Sequence, residues 1–288
     1  MWWFLVVLPC FAQPSVADLL ERDTIARLRQ LDDSTEGVLG AAAIDLASGR
    51  RFAYHGDTLF PQASSIKIPI LIEMYRAADA GRFRMSDTVT LKPEDMVGGS
   101  GHLKDTLKAR PLTLTIRELV TAMMETSDNT ATNQSIRMVG MDRVNATLAA
   151  FGFTHTRLQR VMLDSAAARR GEENISTPNE MSRIVEWIYR GRAAGEASTT
   201  EMIAIMKRVK AHFRKALPAG VEIASKPGGV PGVKCESGIV FLNNRPFIMS
   251  VMTTFVPAES TVVEQAALLI FRHFETLAKS NPYGHKVE

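Results

Sequence analysis

The 288-residue sequence is poor in cysteine, with only Cys10 and Cys235. Two cysteines build no disulfide framework, so packing has to hold the fold. A dominant charge sign is also missing: Lys+Arg 34 against Asp+Glu 31 leaves a formal net charge of +3. That slight, dispersed excess argues against nucleic acid as a partner. The six histidines (His55, His102, His155, His212, His273, His285) show no His-x-His or His-Glu-x-x-His spacing, so no metal is expected. Gly98-Gly99-Ser100-Gly101-His102 lacks the second framing glycine of a Gly-x-Ser-x-Gly elbow, and no phosphate-binding glycine loop follows a strand. No cofactor is implied. Repeats and low-complexity linkers are absent, and no apolar run reaches the roughly 20 residues that span a bilayer.

What is present is an ordinary globular composition, 45% hydrophobic and 23% charged, with length for one large domain or two intimate ones. The apolar run Met1 to Ala12 ends in the small-x-small Cys10-Phe11-Ala12 and turns polar at Gln13-Pro14. It reads as a secretory signal cleaved after Ala12, with a periplasmic or secreted destination and no stable membrane insertion. The n-region has no Lys or Arg, and Pro9 fits a lipidated Cys10 poorly.

Helical periodicity runs from Asp18 through Ile25, Leu28 and Leu31. Residues 37–46 read as a buried strand, with 51–54 returning as its hairpin partner. At the far end, 221–226, 236–242 and 247–255 read as strands, with Gly228 to Gly232 as loop. A closing helix is expected over about 261–279, opened by a Thr261/Glu264 capping box. The middle of the chain is helical pattern and loop. The expected fold is α+β: an antiparallel sheet built from both chain ends with flanking terminal helices, plus a central all-α lobe. The α/β lobe would take about 18–58 and 210–288, and the helical lobe about 59–209.

Three motifs carry chemistry. In Ser64-Ser65-Ile66-Lys67, Ser64 falls where loop becomes helix and Lys67 lies one turn later, where a desolvated amine can take the serine proton. Alone, this pattern arises by chance roughly once in a chain this size, and it reads as an N-cap serine with a solvated lysine. Ser127-Asp128-Asn129, after a helix opened by Thr115-x-x-Glu118, is rarer, on the order of once in several thousand positions. Ser127 can relay a proton and Asn129 can hold a carbonyl, with Asp128 tying the loop to backbone N–H groups. A plain helix-ending turn explains the triplet equally well. In Lys226-Pro227-Gly228-Gly229 a lysine can anchor an anion beside glycines that admit close approach; alone it reads as a solvated lysine before a hairpin. The Ser64 and Gly229 N–H groups could form an oxyanion hole.

Together, Ser-x-x-Lys, Ser-Asp-Asn and Lys-x-Gly, in this order, resemble the signature of penicillin-recognising serine enzymes, and the chain is similar to class A serine β-lactamases. Asp128 to Asn133, Ser176-Thr177-Pro178 and Gly98 to Gly101 extend the resemblance over the mature chain. It implies the β-lactamase/transpeptidase-like fold and acyl transfer in a monomer acting on a β-lactam or peptidoglycan-like substrate. Ser64 would attack, Lys67 would activate it and Ser127 would protonate the leaving nitrogen. Asn129 would orient the acylamide, Lys226 and Gly228 would bind substrate, and the Ser64 and Gly229 N–H groups would hold the oxyanion.

The family's deacylating glutamate, two residues after an arginine, is replaced here by Met162 after Arg160, and the Glu-x-x-Leu-Asn pattern is missing. Asp164 is the nearest alternative base, but it reads more readily as a loop carboxylate paired with Arg160 or Arg169. Arg157, Arg160, Arg169 and Arg170 read as a solvated face. Pro227 stands where a substrate-binding Thr or Ser is usual, and the arginine of the last strand has no counterpart, Phe247 falling there and Arg245 earlier. Slow deacylation is therefore expected. The rival readings are a D-alanyl peptidase or esterase, a β-lactam-binding sensor that acylates without turnover, and a retired scaffold.

Overall fold

A computed structural model describes residues 13–287, so the expected export segment 1–12 lies outside the described residues. Strands β1 (Val38–Asp45) and β2 (Arg51–Tyr54) come from the front of the chain. Strands β3 (Glu222–Val230), β4 (Val233–Phe241) and β5 (Phe247–Thr254) come from the back. They form one five-stranded sheet in the order β2-β1-β5-β4-β3, antiparallel throughout, with β1 joined to β5 in the register Ala41↔Val251. The expected α+β sheet from both chain ends is therefore present.

The period-2 alternation of the strands divides two cores. Ala41, Ala43, Met249 and Val251 face the terminal helices α1 (Val16–Asp33) and, at the other chain end, Val262–Ala278. Ile44, Ile248 and Met252 face the central helices. Phe247 stacks on Phe274 at 4.2 Å, and burying each such ring contributes about 2 kcal/mol. Met123 and Met124 are fully buried in the core facing the central helices.

Three central helices position the site. Helix α2 (Lys67–Asp79) follows a 3₁₀ turn over Ala63–Ile66, with Pro69 in its first turn, where a missing N–H costs least. Helix α3 (Ile116–Glu125) starts at the Thr115/Glu118 capping box, and α4 (Asn129–Val139) is capped by Asp128.

The structure departs from the sequence reading in places. Strand β3 continues through Gly228 and Gly229 to Val230, because β4 pairs with it as far as Val230↔Val233, so the loop is only the tip of a hairpin. The Thr261/Glu264 box does not form; the Thr261 hydroxyl accepts from Gln265 instead, and Glu264 pairs with His212. The central region also contains the short strand pair Thr88–Leu91 and Leu112–Thr115, plus Phe60–Pro61 pairing with Ile175–Ser176.

Candidate active site

Strand order leaves β3 at the sheet edge, and that edge lies against the turn carrying Ser64. The Ser65 hydroxyl donates to the Lys226 carbonyl at 3.0 Å, and Cys235 Sγ lies 3.3 Å from Ser65 Oγ. Gly228 is packed so tightly here that an added Cβ would sit 2.4 Å from the Gln62 carbonyl oxygen and 2.9 Å from Ser64 N. Ala63, just before the nucleophile position, has φ +42°, and Ser127 has φ +56°. Two non-glycine residues in the left-handed region store strain where the motifs meet.

Lys67 is fully buried, and its Nζ donates to the Ser127 carbonyl (2.8 Å), Ser127 Oγ (3.0 Å) and Asn129 Oδ1 (3.2 Å). These three acceptors take all the protons of an ammonium. Burial, reinforced by the charge of Lys226 and opposed by Asp128, holds the Lys67 amine well below the ordinary lysine range. A neutral amine has two N–H groups and a lone pair, so the neutral form gives up one of these three contacts and can then accept a hydroxyl proton.

Asp128 has the tying role expected of it. One oxygen accepts from Ala131 N and the other from Leu103 N, both at 2.9 Å. Asn129 Nδ2 donates to the Gly98 carbonyl at 3.0 Å, and Thr130 Oγ1 accepts from Val97 N at 2.9 Å. The Gly98 to Gly101 loop is thus fastened to the Ser-Asp-Asn triplet.

Lys226 is 1% exposed. Burial, opposed by the charge of Glu236, pushes this amine down to about 8. Glu236 lies opposite Pro227 on β4, fully buried, accepting from Ser225 Oγ (2.6 Å) and Phe213 N (2.9 Å). Burial raises its pKa despite those bonds. The structure thus gathers Ser64, Lys67, Ser127, Asn129, Lys226 and Gly228 at one edge, with Gly229 continuing the strand.

The stretch around Met162 is pinned by Asn133. Met162 N donates to Asn133 Oδ1 at 2.8 Å, and Asn133 Nδ2 donates back to the Met162 carbonyl at 3.2 Å. Asp164 caps the short helix Ser165–Arg169 through Ala167 N at 2.9 Å. It pairs with neither Arg160 nor Arg169. Arg160 instead bonds Glu173 at 2.7 Å with its side chain only 11% exposed, so that part of the expected solvated face is buried. The Asn174 side-chain oxygen accepts from Gln159 N and Arg160 N, closing the neck of the loop. Arg245, two residues before β5, donates to Asp45 at 2.6 Å and is engaged there.

Sequence reasoning missed Ser65, Asn133, Asn174, Cys235 and Glu236. Cys235 and Glu236 differ in the sequence from no other residue of a half-polar strand, and only the pairing with β3 reveals them. The Asn133–Met162 contact joins residues 29 positions apart, with no pattern announcing it.

This geometry, a lysine-centred serine site at the edge of an antiparallel sheet, is that of a serine-hydrolase-like protein. A sequence profile of the β-lactamase enzyme family matches residues 23–274, and the chain belongs to that family. A β-lactamase of Streptomyces fradiae is 30% identical over 257 residues, 85% of this chain and 84% of that protein. The β-lactamase CARB-3 of Pseudomonas aeruginosa is 27% identical over 248 residues, 84% of each chain. The crystal structure of a β-lactamase from Sphaerobacter thermophilus superposes with a TM-score of 0.80 at 31% identity, over 89% of this chain and 97% of that one. PBP-A shares the fold, with a TM-score of 0.80 at 24% identity over 88% of this chain and 96% of its own.

Proposed function

We propose that this chain is an exported serine hydrolase that opens β-lactams or related cell-wall amides through an acyl-enzyme at Ser64, and that its deacylation is slow. The observation that carries the reading is Lys67, a buried amine one turn from Ser64 and bonded to both Ser127 and Asn129. Neutral Lys67 takes the Ser64 proton as Oγ bonds to the carbonyl carbon, and the oxyanion rests on the Ser64 and Gly229 N–H groups. Ser127 passes a proton to the leaving nitrogen, while Lys226 faces the substrate carboxylate. Water then has to cleave the ester. Met162 has no proton acceptor, and Asp164 has one oxygen committed to Ala167. Lys67 is therefore the leading base for that step, with Asp164 second.

The apolar segment before Gln13 supports export. The two-lobed division at about residues 59 and 209, and action as a monomer, belong to the same reading. Intact-protein mass spectrometry with benzylpenicillin tests it. An adduct lost in Ser64→Ala and persisting for many minutes is expected; no adduct, or hydrolysis undiminished in Ser64→Ala, refutes it. A peptidase working by the same residues is favoured by Met162, and release of D-alanine from a D-Ala-D-Ala peptide would single it out.

A further inference from the structure

The sheet edge opposite β3 carries a pocket that the proposed reaction leaves without a role. Strand β2 ends the sheet there, and among the described residues no strand pairs with its outer side. Arg51 lies opposite Ile44 and Ala53 opposite Ala42, so both side chains leave the sheet on the face where the helix Pro178–Tyr189 packs. Ala53 offers only a methyl group, and the space it leaves beside the helix is a pocket of about 400 Å³. That volume is within the range of small-ligand sites.

The charges lining the pocket are ordered along the helix. At one end Asp57 accepts from Asn179 Nδ2 at 2.9 Å, and Asn179 N donates to the Gly56 carbonyl at 2.9 Å. This loop is locked, since a Cβ added to Gly56 would lie 2.5 Å from Ala53 Cβ. One helical turn on, the Arg183 guanidinium sits 5.0 Å from the centre of the Phe153 ring, which steadies it. Arg51 follows, donating to Glu186 at 2.6 Å. Glu186 is buried and also accepts from Arg190 at 2.8 Å, so one carboxylate serves two guanidinium groups and positive charge is in excess. From Asn179 to Glu186 the helix rises about 10 Å. The pocket therefore has an acidic end and a basic end about 10 Å apart, beside an open strand edge.

We propose that this pocket binds a short zwitterionic peptide, with its ammonium at Asp57 and its carboxylate at Arg183 and Arg51. Three extended residues span about 10 Å, which matches the separation of the two ends. The peptide backbone would lie along β2, whose outer N–H and C=O groups can pair with it, and the guanidinium forks suit a carboxylate. A simple anion would be repelled by Asp57 and a simple cation by the arginines, so a ligand charged at both ends is the one favoured. The site is separate from Ser64 and does not depend on the acyl-enzyme reading.

Titration of the ¹⁵N-labelled protein with Ala-Ala-Ala, followed by amide NMR, tests this. Saturable shifts over residues 51–57 and 179–186 are expected, with a Kd in the millimolar range. N-acetyl-Ala-Ala-Ala and Ala-Ala-Ala-amide should each bind about fivefold more weakly. Asp57→Asn should abolish the penalty of acetylation, and Arg183→Gln should reduce that of amidation; both side chains are exposed, so the fold should survive either change. Equal affinity for the three peptides overturns the proposal, as do shifts confined to the surroundings of Ser64 and Lys226, or no shift at about 20 mM peptide. Inorganic phosphate producing the same shifts at the same concentrations also overturns it, because the pocket would then be a plain anion site.

Discussion

Substituting Gly228 by alanine perturbs the site by a single methyl group whose surroundings are known. The new Cβ would lie 2.4 Å from Gln62 O, 2.8 Å from Cys235 Sγ and 2.9 Å from Ser64 N, against about 3.4 Å or more for ordinary contact. Two of these neighbours are backbone, and the third belongs to a fully buried cysteine held by Ser65 and Gln62. None can rotate away, so either β3 or the Ser64 turn must move by about 1 Å. Overpacking of this kind costs about 1–3 kcal/mol, which in a chain of this size lowers Tm by roughly 3–10 °C. Displacing the nucleophile by about 1 Å should slow acylation on the order of 100-fold. Gly229→Ala is the matched control, since its Cβ meets only Val233 O at 3.8 Å and its N–H is retained. Acylation by a fluorescent penicillin and thermal melting should separate the two variants clearly. Parent-like acylation and Tm in Gly228→Ala, or equal damage in Gly229→Ala, would refute the packing argument.

The Lys226 amine, pushed down to about 8 by burial, is a cation only below that pH. KM for an anionic substrate should therefore be lowest below pH 8 and rise above it by up to about tenfold per pH unit; Lys226→Met should flatten the profile. His273, bonded to Thr24 at 3.0 Å and buried, titrates at about 4 rather than 6.5. Its stabilising effect is complete above pH 6.5 and is lost as pH falls from 6.5 toward 4, because the unfolded chain takes up the proton first. About 3 kcal/mol is involved in all, of which about 2 kcal/mol falls between pH 7.5 and 5, and urea midpoints at those two pH values should lose that difference in His273→Gln. Met162→Glu places a carboxylate on a backbone that Asn133 already pins, and should shorten the adduct lifetime by about 100-fold or more in timed mass spectra. An unchanged lifetime would mean the loop cannot present a base from this position.

The parts of the fold readable from the sequence were those written in local pattern. The alternation of residues 38–45 and 247–254 and the apolar face of the closing helix each appear within a few consecutive residues. The Thr115/Glu118 capping box was legible for the same reason, because its bonds span three residues. The Thr261/Glu264 box had the same spacing and failed, since His212, 52 positions away, bonds Glu264 at 2.6 Å. Three short motifs located the site, yet what tunes it is long-range. Burial of Lys67 and Lys226, the fit of Gly228 against Ser64, and the hold of Asn133 on Met162 all join segments far apart in the chain. The Asp164 carboxylate illustrates the limit in the other direction. Its neighbours in the sequence, Arg160 and Arg169, suggested an ion pair, whereas Ala167 N takes it locally and Glu173 takes Arg160.

One of the two buried lysines also acts on the other. Lys226 is among the groups that depress the Lys67 amine, so in the free protein a charge at 226 helps keep Lys67 neutral and ready to accept a proton. On the proposed mechanism, a substrate carboxylate arriving at Lys226 offsets that charge. The repulsion on Lys67 then weakens, and its affinity for a proton rises at the moment the Ser64 hydroxyl has one to give. A neutral substrate leaves the repulsion in place and gains no such increase. Lys226 would thus contribute to the rate of acylation as well as to binding, and an acyl donor stripped of its carboxylate should lose kcat together with affinity.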